Sequence, residues 1–215
     1  METKIDELRS AHDVLAPFYA ERLTDSISSM PVERAVIDLF CEMTLAAGVG
    51  NAVGDIGCGI GHLEPYLATQ GLDPRGVDLS PESVRIARRD YPDYTFEVAD
   101  LRQLPFDDSS LAAAICWYSL IYLSPPDRPA ALSELYRVVK PGGYLLTGYK
   151  AGDDQVRRGG RTANLGVEFD VYWLTPRKER QRVHNAGFTN IFAATRPPTA
   201  EDGPAQAFLL ARKPI

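Results

Sequence analysis

Val53-Gly54-Asp55-Ile56-Gly57-Cys58-Gly59-Ile60-Gly61, with Arg75-Gly76-Val77-Asp78-Leu79-Ser80 downstream, decides the fold of this chain. The first stretch reads as a buried strand that ends in a glycine turn, where backbone can approach a ligand closely. The second reads as a strand whose tip carries a carboxylate suited to a ribose. Asp78 follows Gly57 by 21 residues, close to the ~20 that separate glycine turn and ribose-binding acid in a βαβ unit. Together they describe a nucleoside-cofactor site.

The flavour of the turn separates cofactor classes. A dinucleotide fingerprint is G-x-G-x-x-G, whose third glycine lets a helix N-terminus meet a pyrophosphate. Here the glycines stand at Gly57, Gly59 and Gly61, position 62 is His62, and Asp55 precedes the turn. An anionic side chain so close favours a cationic ligand, because like charges repel strongly where water is excluded. A sulfonium nucleoside carrying an ammonium group fits.

At these residues the chain resembles the class I S-adenosylmethionine-dependent methyltransferases, small-molecule branch. Asp55 to Gly61 is similar to that family's first motif and Gly76 to Ser80 to its second. Ala99-Asp100-Leu101 with Leu104-Pro105-Phe106 resembles the adenine-contacting segment, and Glu134-Leu135-Tyr136-Arg137-Val138-Val139-Lys140-Pro141-Gly142-Gly143 the helix, turn and strand start that follow. The resemblance implies S-adenosylmethionine as cofactor, S-adenosylhomocysteine as product, and methyl transfer to an oxygen, nitrogen or carbon of a small molecule. It implies cofactor contacts at Tyr19, Asp55, Gly57, Cys58, Gly59, Asp78, Leu79, Asp100, Leu101, Trp117 and Tyr118. Asp55 has two readings: it binds the methionine ammonium, or it holds the glycine turn through backbone N–H groups. Tyr19 closes Ala11-His12-Asp13-Val14-Leu15-Ala16-Pro17-Phe18-Tyr19, similar to an N-terminal helix whose last tyrosine reaches the cofactor carboxylate; His12 replaces the first tyrosine of that pattern.

Many relatives carry a histidine where this chain has Tyr122. A tyrosine with an ordinary pKa of ~10 is a poor base at neutral pH. His12 and Tyr122 are therefore the weak candidates for a general base, and proximity and orientation are expected to supply most of the acceleration. His62 is expected to cap or pack at the start of a helix, and His184 to lie on a solvated face.

With 215 residues, 45% hydrophobic and 24% charged, the chain suits one ordinary globular domain. A formal net charge of −6 disfavours nucleic acid or an anionic membrane as partner. No apolar run approaches the ~20 residues of a membrane span, and the start Met1-Glu2-Thr3-Lys4 has no apolar leader, so a soluble, cytoplasmic protein is expected. Cys41, Cys58 and Cys116 lie far apart without histidines at metal spacing, which fits structural thiols and no metal.

Residues 4–48 read as helical, broken by Pro17 and Pro31. From Ala52 strands and helices alternate, the pattern of a parallel sheet covered on both faces. Strands are expected near 52–56, 73–78, 94–98, 111–117, 143–150, 188–196 and 205–212, with helices near 61–70, 81–90, 127–140 and 175–187. The short loop Pro197 to Pro204 cannot house a crossover helix, so the last two strands pair antiparallel. The family resemblance then implies a Rossmann-like α/β fold with a seven-stranded sheet in the order 3-2-1-4-5-7-6. The expected layout is one domain over 1–215: a helical cover (1–50), a cofactor-binding core (51–150), a substrate-side loop (151–174) and a C-terminal helix with β-hairpin (175–215).

Glycines at 152, 159, 160 and 166 make 151–174 a mobile loop in this reading. Its Arg157, Arg158 and Arg161 suggest an acidic acceptor, and Tyr149, Phe169, Tyr172 and Trp173 an aromatic one. Two other readings stand beside methyl transfer. A nicotinamide-dependent oxidoreductase shares the βαβ start but lacks support from the glycine spacing and the terminal hairpin, and a noncatalytic S-adenosylmethionine-binding protein shares every motif.

Overall fold

The computed structural model describes residues 3–23, 27–199 and 203–215. Residues 24–26 of the N-terminal helical stretch and 200–202 of the last loop lie outside the described residues. Strands β1 (Ala52–Ile56), β2 (Asp73–Asp78), β3 (Thr95–Val98), β4 (Leu111–Trp117) and β5 (Val139–Lys150) form a parallel array. A separate hairpin, β6 (Val156–Gly159) with β7 (Phe169–Tyr172), follows, and the antiparallel pair β8 (Thr189–Arg196) and β9 (Gln206–Arg212) completes the main sheet. The sheet order is β3-β2-β1-β4-β5-β9-β8. Allowing for the two hairpin strands in the numbering, this is the expected 3-2-1-4-5-7-6.

Burial explains the centre of that order. All seven residues of β4 are buried, as a strand flanked by parallel neighbours and covered on both faces requires. On one face Leu15 of α1 (Lys4–Leu23), Leu132 and Leu135 of α5 (Arg128–Val138) and Val183 of α6 (Pro176–Asn185) share a core. On the other, Ile37 and Phe40 of α2 (Pro31–Ala46) meet Leu67 of α3 (Glu64–Thr69). Each such side chain contributes about 1.5–3 kcal/mol by leaving water. Helix α4 (Pro81–Asp90) is capped by Ser80, whose Oγ accepts the Ser83 N–H at 3.0 Å, with Pro81 at the first helical position.

Four expectations are corrected. Pro17 does not break α1, which runs unbroken through it; Leu15 and Ala16 are fully buried there, and tertiary contacts hold the turn that has lost one N–H donor. Pro31 opens α2 instead. The first βα helix begins at Glu64, not near 61, because Gly61 takes φ +77° and prolongs the turn. The segment 151–174 is not an open loop, since 156–159 and 169–172 pair as a hairpin. Finally β5 starts at Val139, which pairs with Leu111 before the register shifts and Tyr144 pairs with Ala113. Among the described residues no helix is long and apolar enough to cross a membrane.

Candidate functional site

A cavity of about 360 Å³ opens over the carboxyl ends of β1, β2 and β4, under α1. That size and position suit a small-molecule site in an open α/β sheet. Gly57, Cys58, Gly59, Asp78, Leu79, Asp100, Leu101, Trp117, Tyr118, Tyr19, His12 and Tyr122 all line it. Asp55 is absent from the lining, with its carboxylate fully buried behind the turn.

Local chemistry shapes the turn. The Gly57 and Cys58 N–H groups donate to the Val77 carbonyl at 2.7 and 3.0 Å, which bends the chain out of β1 toward β2. Gly57 has φ +83°, and a Cβ there would fall 2.3 Å from Ser119 Cβ; only glycine passes. Ser119 is itself fixed by donating to the Ile56 carbonyl at 2.6 Å.

Asp78 is held from both sides. Its Oδ2 accepts the Gly59 N–H and its Oδ1 the Ser80 N–H, both at 2.8 Å. Burial pushes its carboxyl up, opposed by those two N–H groups and by His12. Each oxygen retains acceptor capacity toward the cavity. A buried, aimed carboxylate beside a glycine cradle is what a ribose diol needs, so the residues present fit the expected cofactor.

Asp55 forms no hydrogen bond through either carboxylate oxygen, so it does not hold the turn in this structure. Glu64, equally buried, also lacks partners for both oxygens. Burial, then the charge of Asp78, pushes Asp55 up to about 8; burial, then Asp55, raises Glu64 well above the carboxylate range. The Cys58 thiol beside them is raised by burial and by Glu64, which leaves it protonated and inert.

Asp100 meets the cavity but is clamped by Arg102, whose Nε and Nη2 donate to it at 3.0 and 2.7 Å. Burial raises its carboxyl, and Arg102 outweighs that, so it titrates below the usual range. At the end of β4, Tyr118 adopts φ +60° and donates its N–H to the Gly148 carbonyl at 2.8 Å. A bulky residue in that region is strained, and the twist turns Tyr118 onto the cavity wall.

α1 forms the roof. Asp13 accepts from Ser80 Oγ at 2.5 Å and from the Glu82 N–H at 3.0 Å, tying α1 to the start of α4. Arg158 of the hairpin donates to Glu7 at 2.6 Å and to Asp170 at 2.5 Å, and Lys4 reaches Asp170 at 3.0 Å. Arg157 pairs with Asp153 and lies over Trp173, while Arg161 pairs with Glu168. None of these arginines lines the cavity: Arg158 seats the roof through Glu7, and Arg157 and Arg161 are paired within residues 151–174. Tyr149, Phe169, Tyr172 and Trp173 stay out of the lining too. Phe169 stands behind it, packed against the rings of His12 and Tyr122 at 4.8 and 5.5 Å.

Several lining residues escaped sequence reasoning, among them His62, Lys150 and Ser119. His62, expected to cap or pack, faces the cavity; α3 has no side-chain cap, and burial lowers the imidazole to about 4. Lys150 and Ser119 also line it. Their signal was position alone, at the carboxyl ends of β5 and β4. His184 is exposed on α6, as expected.

A methyltransferase-domain model matches residues 53–143. The chain is 33% identical over 147 residues to a demethylmenaquinone methyltransferase of Renibacterium salmoninarum, covering 68% of this chain and 60% of the relative. It is 35% identical over 97 residues to a malonyl-acyl-carrier-protein O-methyltransferase of Serratia marcescens, covering 45% and 37%. The chain thus spans less than two thirds of these relatives. Among solved structures, the 1,6-didemethyltoxoflavin N1-methyltransferase of Burkholderia thailandensis, with bound S-adenosylhomocysteine, superposes with a TM-score of 0.64 at 19% identity over 94% of this chain and 88% of that one. A methyltransferase of Methanosarcina mazei does so with 0.68 at 22% identity over 77% and 93%. Sheet order, glycine turn, strand-end acid and these likenesses agree: residues 53–143 match a methyltransferase domain, and the fold is that of solved S-adenosylmethionine-dependent methyltransferases.

Proposed function

We propose that this protein transfers a methyl group from S-adenosylmethionine to a nucleophilic atom of a small-molecule metabolite. The observation that carries the reading is Asp78, fixed by the Gly59 and Ser80 N–H groups at the cavity floor beside the glycine turn. When bound, the cofactor supplies a methyl group on a positively charged sulfur. In this reading Asp78 accepts the ribose hydroxyls, and Gly57 and Gly59 let the backbone close on the nucleoside. Asp100 and Leu101 flank the adenine, Tyr19 reaches the carboxylate end, and Trp117 and Tyr118 wall the reacting centre.

The relatives' printed names, which include demethylmenaquinone and didemethyltoxoflavin as substrates, support a small organic acceptor for this chain. The apolar part of the lining, Ile5, Leu8, Ile27 and Met30 with Tyr122, favours an aromatic or otherwise apolar body over a strongly acidic one. The chain's contribution to rate is to align two reactants and exclude water, effects that together supply up to ~7–11 kcal/mol in well-oriented systems. Tyr122 does not serve as base here, because burial and then Tyr19 raise its hydroxyl further from neutrality.

Incubation with methyl-labelled S-adenosylmethionine and a metabolite extract tests the reading. Label is expected in a small organic product. Donor binding without any labelled product would favour a noncatalytic binder.

A further inference from the structure

His12 sits in the roof of the cavity with its protonation pattern already set. Its Nδ1 lies 2.9 Å from the Leu8 carbonyl, a group that only accepts, so Nδ1 carries the hydrogen and Nε2 is the bare nitrogen. The hydrogen bond of the ring runs through Nδ1, and His12 lines the cavity. The ring is clamped edge-on by Tyr122 at 4.8 Å and tilted against Phe169 at the same distance, with Tyr19 at 6.4 Å.

The charged and titratable groups around this ring are few. Asp78 approaches from β2 and Asp13 from α1 itself, and both favour the charged imidazole. Tyr122 after β4 and Tyr19 on α1 present hydroxyls held in the neutral state by burial, and β7 offers only Phe169. Desolvation is the largest influence on His12 and lowers it, which favours the neutral ring.

We propose that Nε2 of His12 accepts the proton of the methyl acceptor, and that the acceptor is a phenol. This rests on the methyl-transfer reading above. The acceptor's O–H bond breaks with its electron pair left on oxygen and its proton on Nε2. The oxygen then forms the O–CH3 bond as the S–CH3 bond breaks and its pair returns to sulfur. The imidazolium gives its proton to water afterwards. An amine with a free lone pair needs no such base, and an aliphatic alcohol is too weak an acid for a neutral imidazole. Apolar and aromatic residues of the same cavity, Leu8, Tyr122 and Ile5, suit a flat hydroxylated ring.

The test uses the full chain saturated with S-adenosylhomocysteine and two probes, 4-nitrophenol and its methyl ether 4-nitroanisole, titrated calorimetrically where the phenol is neutral. The wild type is expected to bind the phenol about tenfold or more tighter than the ether, since only the phenol can donate to Nε2. His12→Phe is expected to erase that preference and His12→Gln to restore part of it. All variants should hold S-adenosylhomocysteine within about threefold of wild type. Equal affinity for the two probes in the wild type overturns the proposal. So does a preference that survives in His12→Phe but vanishes in His62→Phe, or a tenfold loss of S-adenosylhomocysteine in His12→Phe, which would assign the imidazole to the nucleoside. Failure of the wild type to bind S-adenosylhomocysteine would sink the methyl-transfer reading as well.

Discussion

Asp55 and Glu64 bring two carboxyl groups into the interior behind the glycine turn, and none of their four oxygens has a hydrogen-bond partner among the described residues. Gly76 makes room for them, since a Cβ there would fall 2.5 Å from Glu64 Oε1. Ionising both would leave two unpaired charges in low dielectric, so the folded protein retains protons that the unfolded chain has lost. The sign follows from linkage. With Asp55 raised by burial from 3.8 to about 8, the native state binds more protons than the unfolded state across that interval, and stability falls as pH rises through it. The slope reaches about 1.4 kcal/mol per pH unit for each proton retained. Denaturant midpoints measured between pH 5 and 8 should therefore decline, and Asp55→Asn or Glu64→Gln should flatten the decline; a profile as flat in wild type as in either variant would contradict the buried neutral pair. Sequence reading placed Asp55 at the turn but assigned it a ligand or the turn's N–H groups. Glu64 opens α3 beyond the turn, and nothing in its neighbours marked it as buried.

Helix α1 carries the clearest conflict between local preference and tertiary structure. A proline inside a helix costs roughly 3 kcal/mol in lost bonding and steric clash, yet α1 passes through the exposed Pro17 without a break. Asp13 bonded to Ser80 and Glu82 on one side of it, and buried Leu15 and Ala16 beside it, keep the roof in place. Pro17→Ala should then raise the denaturation midpoint by about 1–3 kcal/mol of stability, read by chemical denaturation, with the secondary structure unchanged; a loss of stability would mean that the proline's fixed φ is needed where it stands. The same conflict explains why periodicity alone ended a helix at Pro17. The hairpin β6–β7 was hidden for a different reason: its strands are four residues each, β6 carrying two arginines and a glycine, and what seats it is Arg158 reaching Glu7 more than a hundred residues away. Long-range ion pairs leave no periodic trace in a sequence.

At the scale of the molecule, most of the architecture was legible because it depends on strong local signals. The main-sheet strands were readable from apolar runs bounded by turns, and the antiparallel end of the sheet from a loop too short for a crossover, as the pairing of β8 with β9 bears out. The meeting of Asp78, Asp100 and Trp117 at one cavity follows from that topology, because parallel strands deliver their carboxyl ends to the same edge. What topology does not fix is the roof, and it was there that the hairpin arginines differed from expectation. The most direct measurement is a calorimetric titration of the wild type and of Asp78→Ala with S-adenosylmethionine and with NAD. S-adenosylmethionine should bind and NAD should not, and Asp78→Ala should weaken the former by one to two decades, the worth of about 1.5–3 kcal/mol in charged hydrogen bonds. Tight binding of NAD with indifference to S-adenosylmethionine, or an Asp78→Ala affinity equal to wild type, would contradict a sulfonium nucleoside held by its ribose at the end of β2.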